Sequence, residues 1–528
     1  MKATYINYSD TNNFAATVLS YLDQDSKLSS FISQKPTSEG FGKLLANKRV
    51  TANRDILLSV LKEQYLNFDS PLVAANIELL KNQNTFTVTT GHQLNLFTGP
   101  LYFIYKIVTA INLSVELKGT FPDKDFVPIY WMATEDHDFE EINHTYIGGK
   151  KISWDKISKG ATGKLSTDGI DLIVKEYTSI LGLSQNADRL VQIIKTAYIN
   201  HSNLADASRY LVDALFKSYG LVVIDADHPK LKNQFKEIIA QDILEQNSYK
   251  RITSTAEKLS ALNIHSPINP REINFFYLLK SLRERLVFEN NRYVVLNSEI
   301  SFSEDELKKE IEDYPERFSP NVVMRPLYQE VILPNIAYVG GGAEVAYWLE
   351  LKENFDHYQI DFPILILRNS ALIVGNKQNL HMQKLGFSYF DLFKSTEELK
   401  KKWLLKHSQH TLNLTKENQE LEKIFEKIKL RASKIDITLS ASAEAIKARL
   451  NSAITNMEKK MLKADKRNHT DSLAKIDKLK QQLYPQDGLQ ERTENFGHYY
   501  VMYGDEFIAS LIHAFKPLEF KFTILQAE

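Results

Sequence analysis

Apolar side chains in the first eighty residues recur at helical spacing, as Ile56, Leu57, Val60 and Leu61 do within Arg54–Tyr65. Ser70-Pro71 reads as an N-cap followed by a first-turn proline, opening a helix over Leu72–Leu80. From Thr85 the period shortens. Thr85–Thr90 is β-branched and aromatic and runs into Gly91 as a strand runs into a turn. A helix follows from Gly99-Pro100 to about Leu117, with Ile104, Ile107, Val108, Ile111 and Val115 on one side. The continuous apolar run Phe126–Met132 is a second, buried strand. Strand, helix, strand makes a βαβ unit, so these two strands should be parallel. Further core strands are expected at Gly220–Asp225, Arg292–Leu296, Val331–Leu333 and Pro363–Leu367, with helices at Leu204–Tyr219 and Ala343–Phe355. Alternation of this kind predicts an α/β sheet covered on both faces. The Gly- and Lys-rich stretch Gly148–Gly163 leads into an inserted lobe, and Ser266–Pro270 punctuates the part that follows.

Beyond about Phe393 strands nearly vanish. Leu421, Ile424, Ile428 and Ile435 repeat at threes, fours and sevens. Leu439, Ile446 and Ala453 keep one seven-residue row, and Ala443, Leu450, Met457 and Ala464 keep another. Two apolar heptad rows among Lys and Glu predict coiled-coil helices, either a hairpin within the chain or a surface for self-association. Tyr499–Met502, a helix near Glu506–Phe515 and Phe520–Leu525 read as a return to the core sheet. The predicted division is a core over 1–393, with insertions at about 145–220 and 228–320, an arm over 394–488, and a returning segment over 489–528.

Composition narrows the class. At 528 residues the chain exceeds one small core. Its 65 basic and 66 acidic side chains leave a formal charge of -1, so nothing draws the whole molecule to nucleic acid or to an anionic membrane. Cysteine is absent, which removes disulfides, thiolate metal sites and a cysteine nucleophile, and suits a cytoplasmic chain. No apolar run approaches the ~20 residues of a membrane-spanning helix.

Chemistry is expected on the loops. Thr90–Pro100 lies between a strand's carboxyl end and a helix's start, where free N–H groups suit a phosphate or carboxylate. Gly91 and Gly99 admit close approach, His92 offers a hydrogen bond or a proton, and Lys106 is within reach from the helix. Thr134–Asp138 ends the second strand of the same unit and therefore opens on the same sheet edge. Its Glu135, Asp136, His137 and Asp138, with His144 nearby, could hold a divalent cation, an ammonium group, or an acid–base histidine. A third loop, Gly340-Gly341-Gly342 with Glu344 in the following turn, adds another close-approach site, and Arg325 upstream could take an anion bidentately.

Three blocks carry a resemblance: Thr90–Gln93 with Thr98–Tyr102 and Tyr105-Lys106, then Pro128–Glu141, then Arg325-Pro326 with Pro334–Glu344. They resemble the cysteine ligases of bacillithiol biosynthesis, the BshC family, and the likeness spans essentially the whole chain. It implies a Rossmann-like core of nucleotidyltransferase (class I synthetase-like) type, with inserted connecting lobes and an α-helical coiled-coil domain that pairs two subunits. The implied reaction joins the carboxyl of L-cysteine to the amine of glucosaminyl malate, forming an amide. ATP or ADP would occupy the region of Gly91, His92, Gln93, Asn95, Thr98, Gly99, Tyr102, Lys106, Arg325, Gly340, Gly341, Gly342 and Glu344. Glu135, Asp136, His137 and Asp138 would serve catalysis. Mg²⁺ could be shared between the phosphates and these acids, and no tightly bound metal is expected. The chain lacks a KMSKS-like loop, so an adenylate and an acyl phosphate both stay open. Two other classes also stay open: a metal-dependent hydrolase using His137, Asp138 and His144, and a non-catalytic nucleotide-binding coiled-coil protein.

Overall fold

The run Thr85–His92 (β1) is buried from Thr85 to Gly91, as a strand must be when both sheet faces are covered. The computed structural model, which describes residues 1–265, 268–408 and 410–527, lays it at the centre of a five-stranded parallel sheet. Its companions are β2 (Asp125–Met132), β3 (Val222–Asp225), β4 (Asn335–Gly340) and β5 (Ile364–Leu367). The order across the sheet is β5-β4-β1-β2-β3. β1 and β2 pair in parallel from Thr85 opposite Asp125 to His92 opposite Met132, confirming the expected βαβ unit. The helix joining them, α1 (Tyr102–Thr120), buries Ile104, Ile107, Val108 and Ile111, while Val115 is exposed. Phe86, Val88, Phe126, Ile336, Val339 and Ile364 build the core beneath it with Leu113 and Leu117.

Several expectations are corrected. Val331–Leu333 is not a strand: Arg325–Ile332 is a helix (α2) with proline at its start, and the chain turns extended only at Asn335. Arg292–Val295 lies outside the parallel sheet. It belongs to an antiparallel sheet with Phe275–Leu279, Leu282–Glu289, Ser301–Phe302 and Phe318–Pro320. Asn290 and Asn291, at φ 51° and 60°, make the tight two-residue turn within it. Tyr499–Met502 is helical, and Lys521–Gln526 joins a separate three-stranded sheet. Of the Ser266–Pro270 break, Ser266 and Pro267 lie outside the described residues. After β4, Gly342–Trp348 forms a short helix, α3.

Contacts divide the chain into two compact units, one over 3–372 with 489–525 and the other over 373–488. The second contains α4 (Thr415–Ile435), α5 (Thr438–Lys466) and α6 (Thr470–Leu483). α4 and α5 form a hairpin fastened by Lys429–Glu444 (2.7 Å) and Lys447–Glu426 (3.1 Å). Heptad positions Ile424, Ile428, Ile446 and Met457 remain 42–53% exposed on it. Among the described residues no helix is long and apolar enough to cross a membrane.

Candidate active site

In an open parallel sheet, ligands bind outside the carboxyl ends of strands, where the chain path reverses direction. Here that point lies between β1 and β4. The loops leaving β1, β2, β4 and β5 meet there around a cavity of about 580 Å³. Its wall includes Gly91, His92, Gln93, Tyr102, Lys106, Asp136, Arg325 and Gly341–Glu344. The two loops singled out in the sequence thus share one cavity with the third.

Lys106, from the first turns of α1, donates to Gly91 O (2.7 Å) and pairs with Glu344 (2.5 Å). Glu344 also accepts from the Tyr338 hydroxyl (2.6 Å) and the Gly341 amide (2.7 Å). Burial pushes the Glu344 carboxyl up, but the Lys106 charge and these hydrogen bonds pull it below its ordinary range. Arg325, at the start of α2, lies over Trp131 and Tyr338 (5.5 and 5.4 Å). It donates Nη1 to Gln329 (3.0 Å), and its buried Nη2 has no hydrogen-bond partner. Arg368, the residue after β5, pairs with the buried Glu491 (2.8 Å) and lies over Tyr102 (5.4 Å). Arg492 completes the cationic side. Lys106 and Arg368 are neutralised by carboxylates. Among the described residues Arg325 and Arg492 form no ion pair, so they are left to meet a ligand's negative charge.

His92 is a neutral imidazole here. Burial first, and then the Lys106 charge, pull it down to about 4. Its Nδ1 lies 3.0 Å from Gln93 O, and its ring packs on Tyr102 and Phe103. At pH 7 too little is protonated for the acid role considered for it.

The Thr134–Asp138 loop separates its acids into distinct roles. Asp136 faces the cavity, accepting from Gln93 Nε2 and the His137 amide (2.7 Å each), with Arg283 3.7 Å away. Burial pushes its carboxyl up, but the hydrogen bonds from His137 and Gln93 and the Arg283 charge hold it well below the usual range. Glu135 pairs with the fully buried Lys232 (2.5 Å), and burial raises its carboxyl against that partner. His137 Nδ1 meets Arg283 Nη1 at 2.7 Å. A guanidinium only donates, so this Nδ1 accepts and the ring's own proton sits on Nε2. Asp138 instead caps the short turn Phe139–Ile142, accepting from Glu141 N (3.4 Å), and is not on the wall of this cavity.

Asn95, Thr98, Gly99 and Gly340 are likewise not brought to the cavity. Phe97, Thr98 and Gly99 stand at φ 52°, 68° and 62°, and Asn495 Nδ2 clamps the loop from inside through Phe97 O (2.8 Å) and Gly99 O (2.7 Å). A Cβ on Gly99 would lie 2.7 Å from that of Asn95, so this glycine serves the turn. Among the described residues no three His, Asp or Glu side chains are grouped to hold a metal. His144 stays with its neighbour Asn143 (3.1 Å), whereas His137 faces Arg283 and Phe276. The hydrolase alternative therefore has no preformed ligand set. Trp131, Tyr338, Tyr347, Arg368 and Arg492 were not singled out from sequence as ligand contacts, and only Arg368, directly after a core strand, carried a positional signal.

Comparison with known proteins gives two family models that together cover the chain. Residues 1–369 match the N-terminal Rossmann-like domain of bacillithiol biosynthesis BshC, and residues 371–527 match its C-terminal coiled-coil domain. A protein of Flavobacterium johnsoniae named "Putative cysteine ligase BshC" is 44% identical, over 99% of this chain and 100% of its own. Another so named, from Flavobacterium psychrophilum, is 45% identical over 100% of both. One from Bacillus cytotoxicus is 29% identical over 92% of this chain and 94% of its own. Among solved structures, a putative arginyl-tRNA synthetase from Campylobacter jejuni aligns with a TM-score of 0.23 and 11% identity, over 84% of this chain and 98% of its own.

Proposed function

The chain belongs to the BshC family of bacillithiol biosynthesis, and from that premise we propose that it joins the carboxyl of L-cysteine to the amine of glucosaminyl malate at the expense of ATP. The observation carrying this reading is the cavity between β1 and β4, where unpaired Arg325 and Arg492 face the same space as Asp136. A free carboxylate must be activated, because oxide is a poor leaving group. A cysteine carboxylate oxygen attacks the α-phosphorus of ATP, the α–β bridge breaks, and pyrophosphate leaves. The acceptor amine then attacks the mixed anhydride, expelling AMP and losing one proton. Attack at the γ-phosphorus would release ADP and later phosphate, through an acyl phosphate.

Arg325 and Arg492 offset charge that builds on phosphate and carboxylate oxygens. Asp136, ionised at the cavity wall, suits both a substrate ammonium and the one or two carboxylates that Mg²⁺ takes beside phosphates. Glu135 is the better proton acceptor, since its raised carboxyl is the stronger base of the two. His137 Nε2–H donates. The α4–α5 hairpin pairs two chains: its exposed heptad residues bury apolar surface only against a second copy. A cytoplasmic setting, which keeps thiols reduced, accords with the cysteine-free sequence.

Purified protein with cysteine, glucosaminyl malate and ATP-Mg should form the amide with one AMP per product. Arg325→Met and Glu135→Gln should each lower kcat about 10²-fold or more. A folded chain that forms no product, beside partner enzymes that are active, rejects the reading.

A further inference from the structure

A second cavity of about 480 Å³ adjoins the first and shares Trp131, Ala133, Asp136 and Arg325 with it. Its far wall comes from the antiparallel sheet and the loop before it, which bring Arg271, Arg283 and Arg285 together. Arg285 stands opposite Phe276 in the strand register, and Arg283 is two residues away on the same strand. The three side chains therefore share one face of that sheet. Arg283 lies over the Phe276 ring at 4.0 Å and donates Nε–H to Ser319 Oγ (3.2 Å). Two acids lie on this cavity, and both are committed: Glu135 to Lys232 at 2.5 Å, Asp136 to Gln93, to backbone amides and to Arg283 at 3.7 Å. Among the described residues neither Arg271 nor Arg285 has a carboxylate partner, so the cavity holds an excess of guanidinium charge.

We propose that this second cavity binds a dicarboxylate, and that it is the seat of the acidic end of the acceptor. The identity of the acceptor rests on the ligase reading above; the dicarboxylate preference rests on the arginines themselves. Arg283 is held by Ser319, His137 and Asp136, which leaves Arg271 and Arg285 as the free forks. Coming from the loop and from the strand, they present two separate planar forks, for two carboxylates on a short carbon chain instead of one phosphate. Ile273 and Phe276 give the carbon chain an apolar floor. With its carboxylates held there, an acceptor reaches across the shared wall at Asp136 and places its amine in the first cavity, where cysteine is activated. The acid-rich loop is thus the threshold between two substrates.

The test uses the full chain and the variants Arg271→Gln, Arg285→Gln and their double, each checked for an unchanged melting temperature. Steady-state kinetics should show the acceptor KM rising about ten-fold or more in the double variant. KM for ATP and cysteine should stay put. Methyl glucosaminide, an amine without the dicarboxylate, should react poorly with the parent protein and lose nothing further in the variants. An unchanged acceptor KM overturns the proposal, and a raised ATP KM instead assigns the arginines to nucleotide phosphates and also overturns it. Calorimetry with malate decides the matter if no ligase activity is found. Binding that the double variant abolishes, and that inorganic phosphate does not displace, upholds the dicarboxylate site while the ligase reading fails. Absence of malate binding, or its displacement by phosphate, sinks the site.

Discussion

Replacing Lys106 by Met removes a charge but leaves Glu344 where it was. Lys106 is 4% exposed and is tied to Glu344 at 2.5 Å and to Gly91 O at 2.7 Å. The variant strands a largely buried carboxylate with only the Tyr338 hydroxyl and the Gly341 amide for support. Breaking a buried pair in this way costs about 3–5 kcal/mol. The unit containing the site has roughly 400 residues. At ~2.1 cal/mol/K per residue its unfolding entropy is ~0.85 kcal/mol/K, so the melting temperature should fall by about 4–6 °C. The double variant Lys106→Met/Glu344→Gln removes the stranded charge and leaves a neutral side chain of the same shape beside Tyr338 and Gly341. With its amide oxygen accepting from Gly341 N and its NH2 donating to the Tyr338 hydroxyl, it should recover most of the loss, ending within about 1–2 °C of the parent. Differential scanning calorimetry on the three proteins reads this directly. A single variant that melts within 1 °C of the parent, or a double variant no better than the single, refutes the assignment of Glu344 as a charge that depends on Lys106.

Three further outcomes follow from other parts of the molecule. His92 titrates at about 4 when folded against an ordinary 6.5, so its stabilising contribution is complete above pH 6.5 and is lost as pH falls towards 4. His92→Gln should flatten the melting temperature across that window, and a parallel pH curve would contradict it. Asn495→Ala strips Phe97 O, Gly99 O and the Tyr177 hydroxyl (2.7 Å) of a buried partner. It should destabilise by roughly 2–4 kcal/mol and speed amide exchange across Leu96–Gly99, which hydrogen exchange would show. Glu or Lys at Ile428 and Ile446 should turn a species sedimenting as two chains into one; unchanged sedimentation removes the coiled-coil dimer.

How much of this could be read in the chain depended on how local the cause was. β1 was legible as a β-branched and aromatic run and β2 as a continuous apolar one, with the helical period of α1 between them. β4 was not, because it begins on Asn335, a buried polar residue that accepts from Thr87 (3.1 Å) and Thr89 (2.8 Å) and donates to Glu330 (2.6 Å). The apolar Val331–Leu333 beside it was the stronger local signal and misled. Of the antiparallel sheet Arg292–Val295 was legible as a strand, whereas Leu282–Glu289 escaped because it carries Arg283 and Arg285 on its cavity-facing side. Within the site, Gly91, Gln93, Lys106, Asp136 and Arg325 follow from strand ends and loop position. Asn95, Thr98 and Gly99 sit in the same loop, yet Asn495, some four hundred residues later, turns them inward. No local pattern contains that contact.

The account stands or falls on activation of the cysteine carboxyl by ATP. Cysteine labelled with ¹⁸O in its carboxyl group, turned over with glucosaminyl malate and ATP-Mg, tests that step without reference to any variant. One labelled oxygen should leave on AMP, or on inorganic phosphate if the γ-phosphorus is attacked, for each amide formed. Amide formation with no label in either product would contradict the account.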